Sequence, residues 1–162
     1  MTDDKDPAWL AYARMQIGVR ETPGKTHTQK ILDWWKAIRR GGIKDDETPW
    51  CAAFVGGCLE AVGIRSSSYE SAVSYAAWGR GLNAPTYGSI VVLARKGGHH
   101  VGFLVGRSAT GELAVLGGNQ ADAVNIKMFS HDRLKAQRWP EGVPVTNRFL
   151  PFVDADGSVK ES

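Results

Sequence analysis

Apolar residues recur at helical spacing through the first half of the chain and at strand spacing through the second. Trp9, Leu10, Ala13 and Ile17 share one face of a helix that opens at Asp6-Pro7 and stops at Gly18. Ile31, Leu32, Trp34, Trp35 and Ile38 predict a second helix from about Thr28 to Arg39, closed by Gly41-Gly42. A third helix carries Cys51, Phe54, Val55, Cys58, Leu59 and Val62 as one apolar stripe. Thr48 would cap it and Pro49 would be its first residue. Gly56 and Gly57 each cost such a helix about 1 kcal/mol relative to alanine, which is tolerable where another backbone packs closely. Ser71 to Trp78 can form a short fourth helix.

The period then changes to two. Residues 90–93, 100–105, 113–116, 124–128 and a last run near 148–153 read as strands between Gly-rich turns. Helices first and an antiparallel sheet of about five strands afterwards predict an α+β fold. At 162 residues the chain is read as one domain over 7–153, with flexible ends at 1–6 and 154–162. No internal repeat or linker interrupts it.

The chemistry enters at Thr48-Pro49-Trp50-Cys51. In the first turn of a helix, unpaired backbone N–H groups and the helix dipole favour negative charge, so Cys51 is expected to have a lowered pKa and to act as a nucleophile. The default for a cysteine in an apolar stripe is a small core residue, and that reading suits Cys58. Two helical turns separate the pair, about 10 Å, too far for a disulfide.

Downstream come His99-His100-Val101-Gly102 and Gly117-Gly118-Asn119-Gln120. Folding the hairpin about Ser108-Ala109 places His100 opposite Gly117, within a residue or two, and Asn119 close by. That is the reach an orienting amide needs to hold an imidazole by its second nitrogen. His99 shares its strand face with Val101, Phe103 and Val105, which suggests a core-facing role. His100 shares its face with Gly102, which leaves room beside it, but also with Leu104. Parity favours His100 and leaves both open. Asn119 after two glycines could equally be a turn residue with positive φ.

Composition narrows the alternatives. The chain is 43% hydrophobic and 23% charged, ordinary for a globular protein, with 20 basic against 17 acidic residues. The net charge of +3 suits an anionic substrate or a bacterial wall but is no nucleic-acid signature. Arg39-Arg40 and Lys135 to Arg138 read as solvated helix faces. No run approaches a membrane span and the acidic N-terminus has no signal-peptide character, so a protein made and kept in a cytoplasm, unless something else exports or releases it, is expected. There is no phosphate-cradling loop, H-E-x-x-H or C-x-x-C, so neither a cofactor nor a metal is expected. Asp45, Asp46 and Glu47 form an acidic patch, read as a solvated loop rather than a calcium site. Paired glycosidase carboxylates are missing, since Glu21 has no obvious partner.

The segments Gly18-Val19-Arg20-Glu21-Thr22-Pro23-Gly24, Pro49-Trp50-Cys51-Ala52-Ala53-Phe54-Val55, Gly98-His99-His100-Val101-Gly102 and Gly117-Gly118-Asn119-Gln120 together resemble a family of small phage and bacterial cell-wall hydrolases. That family belongs with the CHAP amidases and NlpC-type cysteine peptidases. The likeness runs from about Ala8 to Pro140. Trp50-Cys51-Ala52 stands where NlpC-type enzymes usually have Asp-Cys-Ser, so the CHAP-like branch is nearer.

The resemblance implies a papain-like fold and an endolysin-like hydrolase that cuts an amide bond of peptidoglycan. It implies Cys51 as nucleophile, His100 as base and Asn119 as third member, with Glu21, Trp50 and Gln120 at substrate-binding positions. The expected partner is peptidoglycan, with no nucleic acid and no membrane, and the expected state is a monomer. A same-fold toxin amidase delivered into rival bacteria, and a non-catalytic wall-binding or phage structural domain, remain as alternatives. A protease acting on proteins is a weaker one.

Overall fold

The computed structural model describes residues 6–22, 28–43, 49–145 and 149–154. Thr48, the acidic patch at 45–47 and most of both chain ends lie outside the described residues. Three α-helices, α1 (Ala8–Met15), α2 (Gln29–Ala37) and α3 (Cys51–Ala61), precede a 3-10 turn at Ala72–Ala77. Six strands follow: β1 (Arg80–Gly81), β2 (Ile90–Arg95), β3 (Gly98–Arg107), β4 (Leu113–Gln120), β5 (Ala123–Phe129) and β6 (Leu134–Trp139). They form one sheet in the order β1-β6-β2-β3-β4-β5, with every neighbouring pair antiparallel. The fold is α+β, with one strand more than expected.

α3 is buried on every side rather than along one stripe: all residues from Cys51 to Leu59 are buried. It lies between α1, α2 and the inner face of the sheet, where Val92, Val101, Phe103, Leu116 and Val124 join its core. Gly56 and Gly57 admit side chains of α2, not the close backbone expected. A Cβ on Gly57 would fall 2.4 Å from Trp34 Cδ1, and one on Gly56 would fall 2.3 Å from Ile38 Cγ2. Trp34 cannot yield easily, because its ring packs against Trp50 and edge-on against Phe54. We therefore expect Gly57→Ala to destabilise the protein by about 1–3 kcal/mol despite alanine's better helix propensity, read as a lower urea midpoint.

The sheet's other face carries a second apolar cluster of Val91, Leu93, Leu104, Leu113, Val115 and Phe129. With both faces covered, β2 reads Ile-Val-Val-Leu without alternation.

Lys135 to Arg138 are not a helix face but the body of β6, which pairs with β2 and ends at the fully buried Trp139. Among the described residues the final run forms only a parallel bridge, Phe152 to Arg107, since Pro151 has no N–H for a ladder. Ile17 lies past the end of α1 and is 46% exposed. Pro49 is not in the helix: Trp50 stands at its N-cap and Cys51 is its first residue.

Candidate active site

The strand β3 sets the site. Leu104 donates its N–H to Ser89 and its carbonyl accepts from Gly88, so the polar backbone edge of Leu104, Gly102 and His100 faces β2. Val101 and Phe103 face the β4 side instead. There the ladder runs Leu104 to Val115 and Phe103 to Leu116 and goes no further toward His100. The strands part at Val101, and the start of α3 enters the opening. Val101 donates its freed N–H to the Cys51 thiol. Gly118 lets α3 come this close, because a Cβ there would fall 2.6 Å from Phe54 Cβ and 2.7 Å from the Trp50 ring.

Cys51 is 5% exposed, and it opens into a cleft of about 220 Å³ lined also by Pro49, Ser71, Arg95 and His99. The thiol does not have the lowered pKa expected of a helix N-terminus. Burial pushes it up, and the N–H groups of Val101, Ala52 and Cys51 together with the Arg95 charge only oppose that shift. The resting group is a thiol.

His99 and His100 lie on opposite faces of β3. His99 is on the Cys51 cleft. His100 points to the outer face, where its ring stacks on Phe129 with centroids 5.4 Å apart. It lines a second cavity of about 120 Å³ with Asn119, Gln120, Lys127 and Arg133. Arg95 lines both spaces.

The partner of His100 is Gln120: Nε2 and Oε1 are 2.8 Å apart. The orientation of that amide follows from its other bonds. Gln120 Nε2 donates to the carbonyls of Val115 and Asn125 and to Asn125 Oδ1, so its oxygen must face the imidazole. His100 Nε2 therefore carries the proton and donates it to Gln120, leaving Nδ1 as the basic nitrogen. Gly117 makes the space, since Gln120 Oε1 lies 2.5 Å from where a Gly117 Cβ would sit. The hydrogen bond expected from Asn119 is made by the next residue. Asn119 stands at φ +57 on the cavity wall, and among the described residues no hydrogen bond joins it to His100. Hairpin spacing brings an amide to this point, and the positive φ at Asn119 turns Gln120 rather than Asn119 toward the imidazole.

The structure brings Glu21 and Trp50 together. The segment after α1 runs beside β5, with Arg20 bridged to Ala123 and Glu21 N–H donated to Asp122. Glu21 Oε1 accepts the Trp50 indole N–H at 3.0 Å. Trp50 is wholly buried, so both residues anchor the start of α3. Arg95, which the sequence reading passed over, is in the site instead. Its only sequence signal was a cation closing a strand before Lys96-Gly97-Gly98.

Burial pushes the His100 pKa down to about 4, more than its bond to Gln120 raises it. The folded state thus takes up this proton later than the unfolded chain, near 6.5. Between those values the unfolded state holds more protons, so stability falls as the pH drops. From pH 7 to 5 we expect a loss of about 2 kcal/mol from this group. The wild-type urea midpoint should fall over that range more than that of His100→Gln; equal falls would contradict the buried neutral imidazole.

Among the described residues no helix is long and apolar enough to cross a membrane, and no three His, Cys, Asp or Glu side chains converge as metal ligands would. No family model, curated protein or solved structure matches this chain.

Proposed function

We propose that this protein is a thiol hydrolase of papain-like fold that cuts an amide bond of bacterial peptidoglycan, within the stem peptide or between it and the sugar. One observation carries the reading: a cysteine at the first position of a buried helix meets, at Val101, a strand whose preceding histidine is locked by an amide with Nδ1 left basic. A packing role for Cys51 does not call for that lock. The wall as substrate rests on the resemblance of the four motifs.

In the proposed reaction His100 Nδ1 takes the thiol proton through the gap between β3 and β4, where Cys51 Sγ already meets the Val101 N–H, as the sulphur bonds to the amide carbonyl carbon. The Cys51 backbone N–H, at the start of α3, stabilises the oxyanion. The C–N bond then breaks, the leaving amine receives the proton from His100, and a thioester remains. Water attacks it while His100 again accepts a proton, and the C–S bond breaks to release the acid as His100 returns that proton to Cys51 Sγ. Because the thiol is raised and the imidazole lowered, proton transfer accompanies attack rather than preceding it as a standing ion pair.

The test is mass spectrometry of soluble fragments released from purified Gram-negative peptidoglycan by wild type and Cys51→Ala. Thiol-dependent release with new peptide or sugar–peptide termini supports the reading and names the bond. No release by folded, reduced wild type would overturn it in favour of a binding role.

A further inference from the structure

One wall of the Cys51 cleft is a segment with no buried apolar side chain to hold it. Residues 67–71, Ser-Ser-Tyr-Glu-Ser, run between the buried Ser66 and the buried Ala72, and Glu70 and Ser71 line the cleft. Ser66 is fixed to α3, because its N–H and its hydroxyl both donate to Glu60 Oε2, at 2.9 and 2.8 Å. Ser67 reaches the 3-10 turn, with its Oγ 2.7 Å from Ser74 Oγ and its N–H donated to the Tyr75 hydroxyl. From there to Ser71 the chain lies outside the core, and Tyr69 is 56% exposed.

Two adjacent arginines grip this segment. Arg39 stands at φ +68 just past the end of α2, and the turn it makes lets both its own side chain and that of Arg40 reach across. Arg39 Nη1 donates to Glu60 Oε2 at 2.8 Å and to Ser68 Oγ at 3.2 Å. Arg40 takes the outer part. Its Nε is buried 3.2 Å from Glu70 Oε2 without the alignment of a hydrogen bond, and its guanidinium lies 5.0 Å from the centre of the Tyr69 ring. Among the described residues neither the Tyr69 nor the Glu70 side chain has another ionic, hydrogen-bonding or ring partner. Both contacts depend on one half-exposed charge and each is weak in water. Tyr69 to Ser71 is therefore the least secured part of the cleft wall.

The cleft itself is tight. Its volume of about 220 Å³ is below the ~300–1,000 Å³ of sites that enclose a ligand, and Cys51 is only 5% exposed. We propose that residues 67–71 are a strap that withdraws to open the way to Cys51, and that Arg40 is the positioning residue that holds it closed through Glu70 and Tyr69. Ser66 and Ala72 are the fixed ends of the movement, and on opening the charges of Arg40 and Glu70 pass to water. Access to the thiol is a property of the fold alone; that the same movement admits the substrate rests on the hydrolase reading above.

The experiment reads the thiol directly. Wild type, Arg40→Gln, Arg40→Lys and Glu70→Gln are alkylated with iodoacetamide under native conditions, and labelling of Cys51 and Cys58 is followed separately by peptide mass spectrometry. A thiol reached only after opening reacts at a rate set by the open fraction. Arg40→Gln is expected to raise the Cys51 rate about fivefold and Glu70→Gln about threefold. Arg40→Lys keeps a cation for both partners and should stay within about twofold of wild type. Salt at about 1 M should speed wild type about twofold and Arg40→Gln hardly at all. The two neutralising variants change the charge near the thiol in opposite senses, so a rise in both reports opening rather than a shifted thiol pKa. Cys58 should stay unlabelled, which shows the core intact. A Cys51 rate that does not rise in Arg40→Gln with Cys58 unlabelled would overturn the strap. If Arg40→Gln labels Cys58 as well, the salt response of wild type decides, and its absence overturns the strap. The labelling needs no turnover: a faster thiol in a protein that releases no peptidoglycan fragment leaves the strap standing and the hydrolase reading fallen.

Discussion

Cys51→Ala is expected to remove peptidoglycan cleavage altogether, a loss of about 10⁴-fold or more, while the protein stays folded. The cost to the fold is small for a specific reason. Cys51 is the first residue of α3, so alanine adopts the same backbone, and what is lost is the acceptor for the Val101 N–H. An unsatisfied buried amide costs about 1–2 kcal/mol, and part of that is recovered where the cleft admits water. Cys58→Ala makes the control. Cys58 is wholly buried two turns along the same helix, and burial holds its thiol far above the ordinary range, so it has neither access nor ionisation. That variant should lose about 1 kcal/mol of stability and keep its activity. Circular dichroism melts beside fragment release would separate the two effects. A dead Cys58→Ala with an active Cys51→Ala would put the chemistry elsewhere.

The second large effect concerns the histidines. His100→Ala should lower kcat by about 10²- to 10⁴-fold, whereas His99→Ala should cost a small fraction of that. The two faces of β3 make this a sharp comparison. His99 shares the cleft with Cys51, and His100 has the oriented ring. If His99→Ala matched or exceeded His100→Ala, the base would be the cleft histidine and the lock at Gln120 would be structural. The pH profile gives an independent readout. With His100 at about 4, the acid limb of kcat/KM should fall near that value rather than near 6.5. Gln120→Glu would set a carboxylate against Nε2, favour the imidazolium and move the limb upward. A merely structural Gln120 would leave it in place.

Much of the architecture was legible because local patterns report it directly. Trp9, Leu10 and Ala13 sit inside, as their spacing required, although the helix ends at Met15, before the expected stop at Gly18. β3 could be read from alternation because its inner residues, Val101, Phe103 and Val105, face a core of helices. β6 could not: Leu-Lys-Ala-Gln-Arg-Trp has too few apolar positions to alternate clearly. Its place is set by backbone pairing with β2 and by Trp139 packing edge-on against Trp9, 5.0 Å between centroids. The 3-10 turn at Ala72–Ala77 and the retreat of the helix start from Pro49 to Cys51 are likewise matters of packing at an end, where propensity is weakest.

Helices before an antiparallel sheet, a cysteine opening a helix, and a histidine pair near an amide pair across a hairpin were all legible in the residue pattern. Those are consequences of period, turn residues and chain connectivity, all of them local. Which amide holds His100, the bond between Trp50 and Glu21, and the place of Arg95 beside two cavities came from packing. Each depends on a contact between distant segments. Gln120 reaches His100 because Gly117 leaves a gap and Asn119 turns the strand at φ +57. The thiol's pKa was decided the same way. A helix start favours the thiolate, but burial of Cys51 among α1, α2 and the sheet outweighs it, since desolvation acts through everything packed around the sulphur and the dipole only through one turn.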